Sequence, residues 1–366
     1  MSFGARALIR LGALQHNFQV IRKAAPGSRI MAVIKANAYG HGLVQVAGGL
    51  PDADSFAVAR LPEAIELRHA GIEKPIVLLE GVQSAADLAE AARLECELVV
   101  HCEPQVGFLE SSDARNLTVW LKVDTGMHRL GFPLRDASIV LARLRACNAV
   151  AEVRLMTHLA SADKRSEATT RKQLALLQDT IPDFDGDVSI ANSAAIFAWS
   201  GELDACYARC SGTPWVRPGI CLYGISPFSG QTGRDLGLRP VMQFESRLIA
   251  VKSVRSGDSV GYLGRWQAQR DTTIGIVAAG YGDGYLRYLP SGTPMLINGR
   301  RVPLAGVVSM DMAAVDLGPG AADRIGDFAI LWGEDLAVEE IALHAGTIPY
   351  QLVAGVMHRE PSEQSQ

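Results

Sequence analysis

The sequence predicts an α/β fold in which a parallel (β/α)₈ barrel is followed by a mainly β C-terminal domain. Two observations predict the barrel: eight short apolar segments occur between residues 29 and 220, and amphipathic helical patterns separate most of them. Strands of such a barrel are buried on both faces and therefore read as near-continuous apolar runs. A third observation predicts the second domain, because after about residue 235 short strands between glycine turns replace the helical patterns.

Each of the eight barrel segments is short and rich in β-branched or apolar residues. They are RIMAVIKA (29–36), SFAVA (55–59), PIVLLE (75–80), CELVVH (96–101), LTVWLKVD (117–124), AEVRLMTHL (151–159), DVSIAN (187–192) and WVRPGI (215–220). Helices are predicted at PEAIELRHAG (62–71), SAADLAEAARL (84–94), SIVLARLRACN (138–148) and SEATTRKQLALLQDT (166–180). On this pattern alone, a doubly wound open sheet is the competing architecture.

The second domain is predicted from glycine-punctuated strands. These are VMQFESRLIAVKSV (241–254), SVGYLG (259–264), TTIGIVAAGY (272–281), PMLINGRRVPLAGVV (294–308) and DFAILWG (327–333). Asn298-Gly299 is a strong hairpin signal. A short helix is predicted near VEEIALHAG (338–346), and the polar tail PSEQSQ (361–366) is expected to be frayed. We expect a barrel domain at 9–235 and a β domain at 236–366 that includes the first few N-terminal residues.

The composition excludes several classes of function. The 366 residues are 48% hydrophobic and carry a net charge of −4, which gives no general attraction to nucleic acid or to an anionic membrane. Six scattered cysteines form no CxxC pair, so neither structural zinc nor a disulfide framework is supported. Arg6 and Arg10 interrupt the N-terminal apolar residues, and no apolar run is long enough to span a bilayer. We expect a soluble cytoplasmic enzyme without a metal.

The candidate site residues are all expected at the same end of the barrel, since the active site of such a barrel lies at the C-terminal ends of its strands. Chemically useful side chains occur at or just after five of the predicted strand ends: Lys35, Arg129, His158, Asn192, Ser193, Arg217, Gly219 and Ile220. Any one of them alone would more often be a surface charge or a structural core residue. Together they predict a site at the barrel mouth.

This set suits an anionic, phosphorylated aldehyde. Backbone N–H groups near Gly219 and Ile220, with the Ser193 hydroxyl, can cradle a phosphate. A lysine kept neutral by burial and by neighbouring cations can form a Schiff base with an aldehyde, which gives Lys35 a covalent role. The residues therefore predict pyridoxal 5′-phosphate (PLP) as the cofactor.

Eight motifs resemble those of the alanine racemase family of PLP enzymes, in the same order along the chain. They are AVIKANAYGHG (32–42), KVDTGMHRLG (122–131), MTHLASAD (156–163), ANSAA (191–195), WVRPGICLYG (215–224), VGYLGRW (260–266), GYGDGY (280–285) and VSMDM (308–312). The resemblance extends from about residue 7 to 352. It implies interconversion of L- and D-alanine by a head-to-tail homodimer whose active sites use residues of both chains. A role in supplying D-alanine for peptidoglycan precursors is expected, with D-alanine breakdown as the open alternative.

The resemblance also implies catalytic roles. Lys35 matches the lysine that binds PLP and serves as one base, and Tyr262 matches the second base, which the other subunit contributes. His158 matches the residue beside this tyrosine, linked to Arg217, which faces the pyridine nitrogen. Because racemisation removes a proton from one face of Cα and returns one to the other, two opposed bases are chemically required.

The remaining matches concern binding. The phosphate set comprises Tyr39, Ser193, Gly219, Ile220 and Tyr350. Arg129 and Met310, the latter from the second subunit, match residues near the substrate carboxylate, and Tyr281 matches an entrance residue of the partner chain. Lys122 matches a lysine that is carbamylated in many members.

Three positions depart from the family pattern: Val307 replaces an entrance arginine, Leu263 replaces a glycine after the second base, and Gln351 replaces an acidic residue. These changes bear on rate and substrate breadth more than on the type of reaction. A serine or broad-spectrum racemase is the nearest alternative, but Tyr350 narrows the pocket in alanine enzymes of this family. A PLP-dependent decarboxylase and a non-catalytic PLP-binding protein are further alternatives.

Overall fold

A closed parallel barrel forms the first part of the molecule in the computed structural model, which describes residues 3–180, 184–357 and 364–365. Its strands, numbered 1 to 8 in chain order, are Arg29–Val33, Ser55–Val58, Ile76–Leu78, Cys96–Val100, Leu117–Asp124, Val150–Met156, Val188–Asn192 and Pro214–Arg217. Strand 1 pairs with strands 2 and 8, and the circle closes where strand 4 pairs with strand 5. The predicted barrel is confirmed, and the open sheet is excluded. Phe132–Pro133 adds a two-residue strand beside the end of strand 5.

Helices surround the barrel. Their bounds are Leu11–Ala24, Leu43–Gly48, Leu61–His69, Ala85–Arg93, Glu103–Glu110, Leu134–Ala146, Thr169–Thr180, Ser193–Ala198 and Ser200–Tyr207. All four predicted helices are present. The first helix was not predicted, although its buried residues Leu14, Phe18 and Ile21 recur at helical spacing. None of the helices in the described ranges is long and apolar enough to cross a membrane.

Large side chains fill the interior of the barrel. Trp120 on strand 5 and Trp215 on strand 8 are fully or almost fully buried, and their rings meet edge to face with centroids 5.7 Å apart. Met31, Val99 and Met156 pack in the same cluster. The barrel is therefore solid at its middle, and its two ends are separate environments.

Paired charges close the N-terminal end of the barrel. Arg154 on strand 6 forms ion pairs with Glu97 at 3.1 Å, Glu152 at 2.7 Å and Asp187 at 3.7 Å. Its guanidinium lies over the rings of Trp120 and Trp215, whose indole N–H groups donate to Glu97 and Asp187 at 2.7 Å. Every charge in this group therefore has a partner of opposite sign.

The second part of the chain forms a mainly antiparallel sheet around the long strand Met242–Val254. The other strands of this sheet are Arg6–Arg10, Thr272–Val277, Pro294–Ile297, Arg300–Pro303, Ala313–Gly318, Phe328–Trp332 and Gln364–Ser365. Asn298 and Gly299 form the predicted hairpin turn, both with positive φ. Ala313–Gly318 was not predicted as a strand.

Two further predictions in this part need correction. In SVGYLG only Ser259–Val260 forms a strand, paired with Trp266–Gln267, because the chain turns into a 3₁₀ helix at Tyr262–Gly264. Within the tail predicted to fray, Gln364–Ser365 pairs with Arg6–Arg10, and the rest of PSEQSQ lies outside the described residues. The helices here are Val338–Ala345 and Pro349–Ala354, of which only the first was predicted.

Candidate active site

A cavity of about 880 Å³ opens at the C-terminal mouth of the barrel, and residues that end or follow all eight strands line it. The predicted site residues in its wall are Lys35, Tyr39, Lys122, Arg129, His158, Asn192, Ser193, Arg217, Gly219, Ile220 and Tyr350. Tyr262, Tyr281 and Met310 are not in the wall. The structure therefore brings together the residues predicted from the barrel, along with Tyr350 from the C-terminal part.

Lys35 begins an unusual turn. Strand 1 ends at Val33, so the predicted strand over 29–36 is wrong at its end, and His158 likewise lies two residues beyond strand 6. From Ala36 to Tyr39 the φ angles are 52° to 54°, which makes a four-residue left-handed turn. Each L-residue in this conformation costs about 1–2 kcal/mol, so surrounding contacts must hold it.

Contacts from distant parts of the chain hold this turn. A Cβ added to Gly40, whose φ is +80°, would lie 2.0 Å from the Val353 carbonyl oxygen, so the turn packs directly against the helix Pro349–Ala354. Within the turn, Ala38 N–H donates to Ile34 O at 2.8 Å, and the Asn37 side chain accepts from Leu43 N–H at 2.8 Å. The turn is therefore part of the interface between barrel and C-terminal sheet.

Arg217 is the last residue of strand 8 and is buried. It donates to Ser189 Oγ and to the Thr157 carbonyl oxygen, both at 2.5 Å, and lies 3.3 Å from His158 Nδ1. Burial lowers the pKa of Arg217 to about 10, so it stays protonated at neutral pH. Burial, and next the charge of Arg217, holds the pKa of His158 well below its usual range. A neutral His158 can therefore accept a hydrogen bond from Arg217.

Two lysines share this cationic environment. Burial, and next Arg129, lowers the pKa of Lys35. Burial, and next Arg217 and then Arg129, lowers the pKa of Lys122 to about 8. No salt bridge joins any of these four cations to a carboxylate within the described residues. The cations of the mouth therefore favour the binding of an anion, and the lowered pKa values of its two lysines favour the neutral amine.

Arg129 lies in an exposed loop after strand 5. The Asp124 carboxylate at the end of that strand shapes the loop, because its Oδ1 accepts the N–H groups of Gly126, Met127 and His128 at 2.9–3.1 Å. The guanidinium of Arg129 itself has no hydrogen-bond partner within the described residues. It is therefore available to an incoming anion.

Another part of the cavity wall gathers hydroxyl and backbone groups. Ser193 Oγ accepts the Gly219 N–H at 2.9 Å, and a Cβ at Gly219 would lie 2.6 Å from Tyr39 Oη. The ring of Tyr350 is 6.0 Å from that of Tyr39. Burial raises the pKa of both phenols, so they remain protonated donors. Buried Ile220 begins the 3₁₀ turn that follows Gly219.

The three residues outside the cavity lie in exposed loops of the C-terminal sheet. Tyr262 is 62% exposed, Met310 55% and Tyr281 38%. Tyr281 N–H donates to Ser309 O at 3.0 Å and Gly282 N–H to Met310 O at 2.8 Å, so the Tyr281 and Met310 loops adjoin. These side chains do not reach the cavity of their own chain.

The three residues that depart from the family pattern lie in the C-terminal part of the chain. Leu263, at the position of a family glycine, has φ +62° and is 82% exposed. A Cβ at Gly306, next to Val307, would lie 3.1 Å from Val260 O, so this segment packs on the hairpin that carries Tyr262. Gln351 contacts Tyr288 Oη at 3.3 Å.

Sequence reasoning missed several residues of the mouth. Ser189 and Thr157 hold Arg217, while Glu80 and His101 line the cavity after strands 3 and 4. Their positions at alternate sites of barrel strands, or at strand ends, were the available signal. Whether a small polar residue within an apolar run points into the barrel can be assigned only when the pairing register of its strand is known.

Comparisons with known proteins identify the family of the chain. The family model for the alanine racemase N-terminal domain matches residues 9–227, and that for the C-terminal domain matches 241–363. The alanine racemase of Vibrio parahaemolyticus is 48% identical over 98% of each chain, and that of Vibrio cholerae is 50% identical over 97% of this chain and 96% of its own.

Solved structures show the same likeness. The biosynthetic alanine racemase from Pseudomonas aeruginosa superposes with a TM-score of 0.92 at 42% identity, covering 100% of both chains. The alanine racemase from Acinetobacter baumannii gives 0.88 at 35% identity and covers 99% of both. The chain therefore belongs to the alanine racemase family.

Proposed function

We propose that this protein is an alanine racemase that interconverts L- and D-alanine with PLP as its cofactor. The observation that carries the proposal is the barrel mouth, where a lysine of lowered pKa lies among cations and shares one cavity with a group of hydroxyl and backbone groups. Alanine as the substrate comes from the names of the relatives. A cytoplasmic location and a role in D-alanine supply belong to the same proposal.

The residues present fit PLP. The group formed by Tyr39, Ser193, Gly219, Ile220 and Tyr350 suits a phosphate, and a side chain at Gly219 would fill that space. Lys35 would hold the aldehyde carbon, since its lowered pKa increases the neutral amine at neutral pH. Arg217 has only donors, so it would leave the pyridine nitrogen unprotonated. When bound, PLP would supply an electron-withdrawing group that acidifies the Cα–H bond of the substrate.

Two bases would then move the proton. Lys35 would exchange it on one face of Cα, and Tyr262 of the partner subunit on the other. The exposure of Tyr262, and its absence from the cavity of its own chain, support a homodimer with shared sites. Met310 and Tyr281, on adjoining exposed loops, would accompany it as carboxylate contact and entrance residue. Neutral His158 would accept a hydrogen bond from Arg217 and orient the tyrosine.

Arg129 would bind the substrate carboxylate through its planar guanidinium. Lys122, with a pKa of about 8, has a sizeable neutral fraction at neutral pH, and only the neutral amine reacts with carbon dioxide. A carbamate on Lys122 would give Arg129 an anionic neighbour. We also place the domain boundary after residue 235, between the ranges 9–227 and 241–363 that the two family models match.

The test is incubation of the protein and PLP with L-alanine in D₂O, following chirality and Cα deuterium together. Racemisation with deuterium incorporation is the expected result. Loss of the carboxylate would instead identify a decarboxylase, and absence of both reactions would refute the proposed activity. Serine in place of L-alanine should react more slowly, because we expect Tyr350, which lines the cavity, to limit the room for a larger side chain.

Shared sites allow a complementation test. Lys35→Ala and Tyr262→Phe homodimers should each racemise alanine very slowly in both directions, because the equilibrium constant of a racemisation is 1 and the two directions must slow equally. After subunits of the two variants are mixed, a heterodimer contains one site with both native bases, so about a quarter of wild-type activity should return at random pairing. If no activity returns although heterodimers form, Tyr262 does not act across the dimer.

A further inference from the structure

Glu63 makes hydrogen bonds with both of its carboxylate oxygens. It lies in the first turn of the helix Leu61–His69 and is half-buried. Its Oε2 accepts the N–H groups of Ala59 at 2.7 Å and Arg60 at 3.1 Å. Its Oε1 accepts the N–H of Ala36 at 2.6 Å. One side chain thus links the end of strand 2 to the residue that directly follows Lys35.

The two oxygens do different things. The Oε2 contacts are those of a capping box, in which a glutamate three residues into a helix satisfies the backbone at its start. Helix capping requires nothing from Oε1. That oxygen instead contacts Ala36, the first residue of the left-handed turn. Other contacts hold the rest of the turn: the side chain of Asn37 accepts from Leu43 N–H, and Gly40, just after the turn, packs on Val353.

We propose that Glu63 is a positioning residue for Lys35: its carboxylate holds the start of the left-handed turn and so fixes where the lysine amine enters the cavity. The inference rests on the proposed function, in which Lys35 carries the covalent and proton-transfer chemistry. Placement matters there, because a shift of about 1 Å in a reacting group can reduce the rate roughly 100-fold. Ala36 N–H has no other hydrogen-bond partner within the described residues, so the link is not duplicated.

Glu63 also acts on Lys35 through its charge. The negative charges of Glu80 and Glu63 raise the pKa of Lys35, against the larger lowering by burial and by Arg129. Glu80 lines the cavity, and its carboxylate pairs with Arg60 at 3.0 Å and forms no hydrogen bond with the turn within the described residues. It therefore provides a control that separates charge from positioning.

The experiment compares Glu63→Asp with Glu80→Gln. Glu63→Asp keeps the charge and an acid that can cap the helix, but it is one methylene too short to serve Ala59, Arg60 and Ala36 together. Glu80→Gln removes a charge and keeps the link. We expect kcat of Glu63→Asp to fall about 100-fold with KM nearly unchanged. Glu80→Gln should lower the pKa of Lys35, measured by NMR titration of ¹³C-methylated lysine.

The decisive readout needs neither cofactor nor substrate. Amide hydrogen exchange of the peptide spanning Ile34 to His41 should speed up at least about 10-fold in Glu63→Asp and stay at the wild-type rate in Glu80→Gln. Exchange in strand 3, Ile76–Leu78, reports whether the barrel remains folded. Exchange and kcat at wild-type values in Glu63→Asp would overturn the proposal.

Glu63→Gln is the second variant, since an amide has one acceptor oxygen and cannot satisfy all three N–H groups. If both Glu63 variants fail to fold, Glu63 belongs to barrel stability and the positioning role is overturned. If the wild-type protein does not racemise alanine while the exchange result holds, the proposed function fails and the link between Glu63 and the turn stands.

Discussion

The two ends of the barrel treat buried charge in opposite ways. At the N-terminal end, Arg154 is surrounded by Glu97, Glu152 and Asp187 and lies over two tryptophan rings. At the C-terminal mouth, the four cations Lys35, Lys122, Arg129 and Arg217 form no salt bridge with a carboxylate within the described residues. The charges of the N-terminal end are paired in contact, whereas carboxylates near the mouth, such as Glu80, act on Lys35 without forming a salt bridge with it, which leaves the cations of the mouth available to a bound anion.

This difference separates stability from function. When every charge in a buried group is paired, the attraction between the charges offsets the cost of taking them out of water. Removing one partner leaves the remaining charge buried without this compensation, which strongly destabilises the fold. Unpaired cations destabilise the free protein and lower the pKa of neighbouring amines, which suits covalent chemistry and anion binding. Substitutions at the mouth should therefore change activity, and substitutions at the N-terminal end should change the free energy of unfolding.

Lys35→Ala should have the largest effect on activity. We expect racemisation to fall by on the order of 10³-fold or more, because the proposed mechanism uses Lys35 both as covalent anchor and as one of the two bases. The free energy of unfolding of the cofactor-free protein should stay equal or rise, since a buried cation is removed. Steady-state kinetics and urea denaturation measure the two quantities, and a clear loss of stability would contradict the comparison.

Arg154→Leu should have the largest effect on stability. Glu97 would be left buried without its cation, which costs about 3–5 kcal/mol in the free energy of unfolding. The activity per folded molecule should be unchanged. Arg93→Leu, which breaks the exposed pair with Glu90, is the matched control and should leave the urea midpoint in place. Equal effects of the two substitutions would show that the buried ion pairs of Arg154 add no stability.

The pH dependence of the free energy of unfolding should show the lowered pKa of Lys122. Its pKa is 10.5 in the unfolded chain and about 8 in the folded protein. Between these values the unfolded chain binds more protons, so its contribution to the free energy of unfolding should increase with pH, by about 3 kcal/mol in total. Below pH 8 this contribution is constant.

Lys122→Met should abolish this rise and stabilise the protein at pH 7. The measurement is urea denaturation from pH 7 to 10 in buffer free of carbon dioxide, since a carbamate would remove the titrating amine. Identical pH profiles for the wild type and the variant would show that Lys122 is not desolvated.

Ser189→Ala should give the smallest effect. Ser189 lies between the two ends, because its Oγ accepts from Arg217 and donates to the Trp215 carbonyl oxygen at 2.9 Å. Loss of one hydrogen bond to a charged group should lower kcat/KM about 10-fold, since Thr157 still holds the guanidinium. If the free energy of unfolding changes and kcat/KM does not, Ser189 acts with the N-terminal end of the barrel rather than with the mouth.

The barrel could be predicted from sequence because its signals are local. All eight strands were found, since each is an apolar run of the right length. The strand Ala313–Gly318 was missed because its exposed side carries Asp316 in a run of small residues. The left-handed turn could not be predicted, because alanine and tyrosine ordinarily avoid positive φ. The contacts that impose it come from Glu63 and Val353, far away in sequence.

The candidate site was predictable to a similar degree. Residues that line the cavity follow from the rule that barrel sites lie at strand ends, joined to the resemblance of the motifs. Residues that act through others, such as Thr157 and Ser189, carry a weaker signal: their positions on or just after strands are visible in the sequence, but their contacts with Arg217 depend on the strand register. Glu63 could be read as a helix cap, but its contact with Ala36 could not.

The packing of Gly40 on Val353 has a consequence for the order of events during synthesis. A ribosome releases strand 1 early, whereas Val353 and Tyr350 emerge near the end of the 366-residue chain. Domains generally begin to fold as they emerge, so the barrel can close around its tryptophans before the left-handed turn has its wall. Until the helix Pro349–Ala354 docks, the left-handed turn would lack the wall that Gly40 packs against, so the cavity that contains Lys35 would be completed later than the barrel itself.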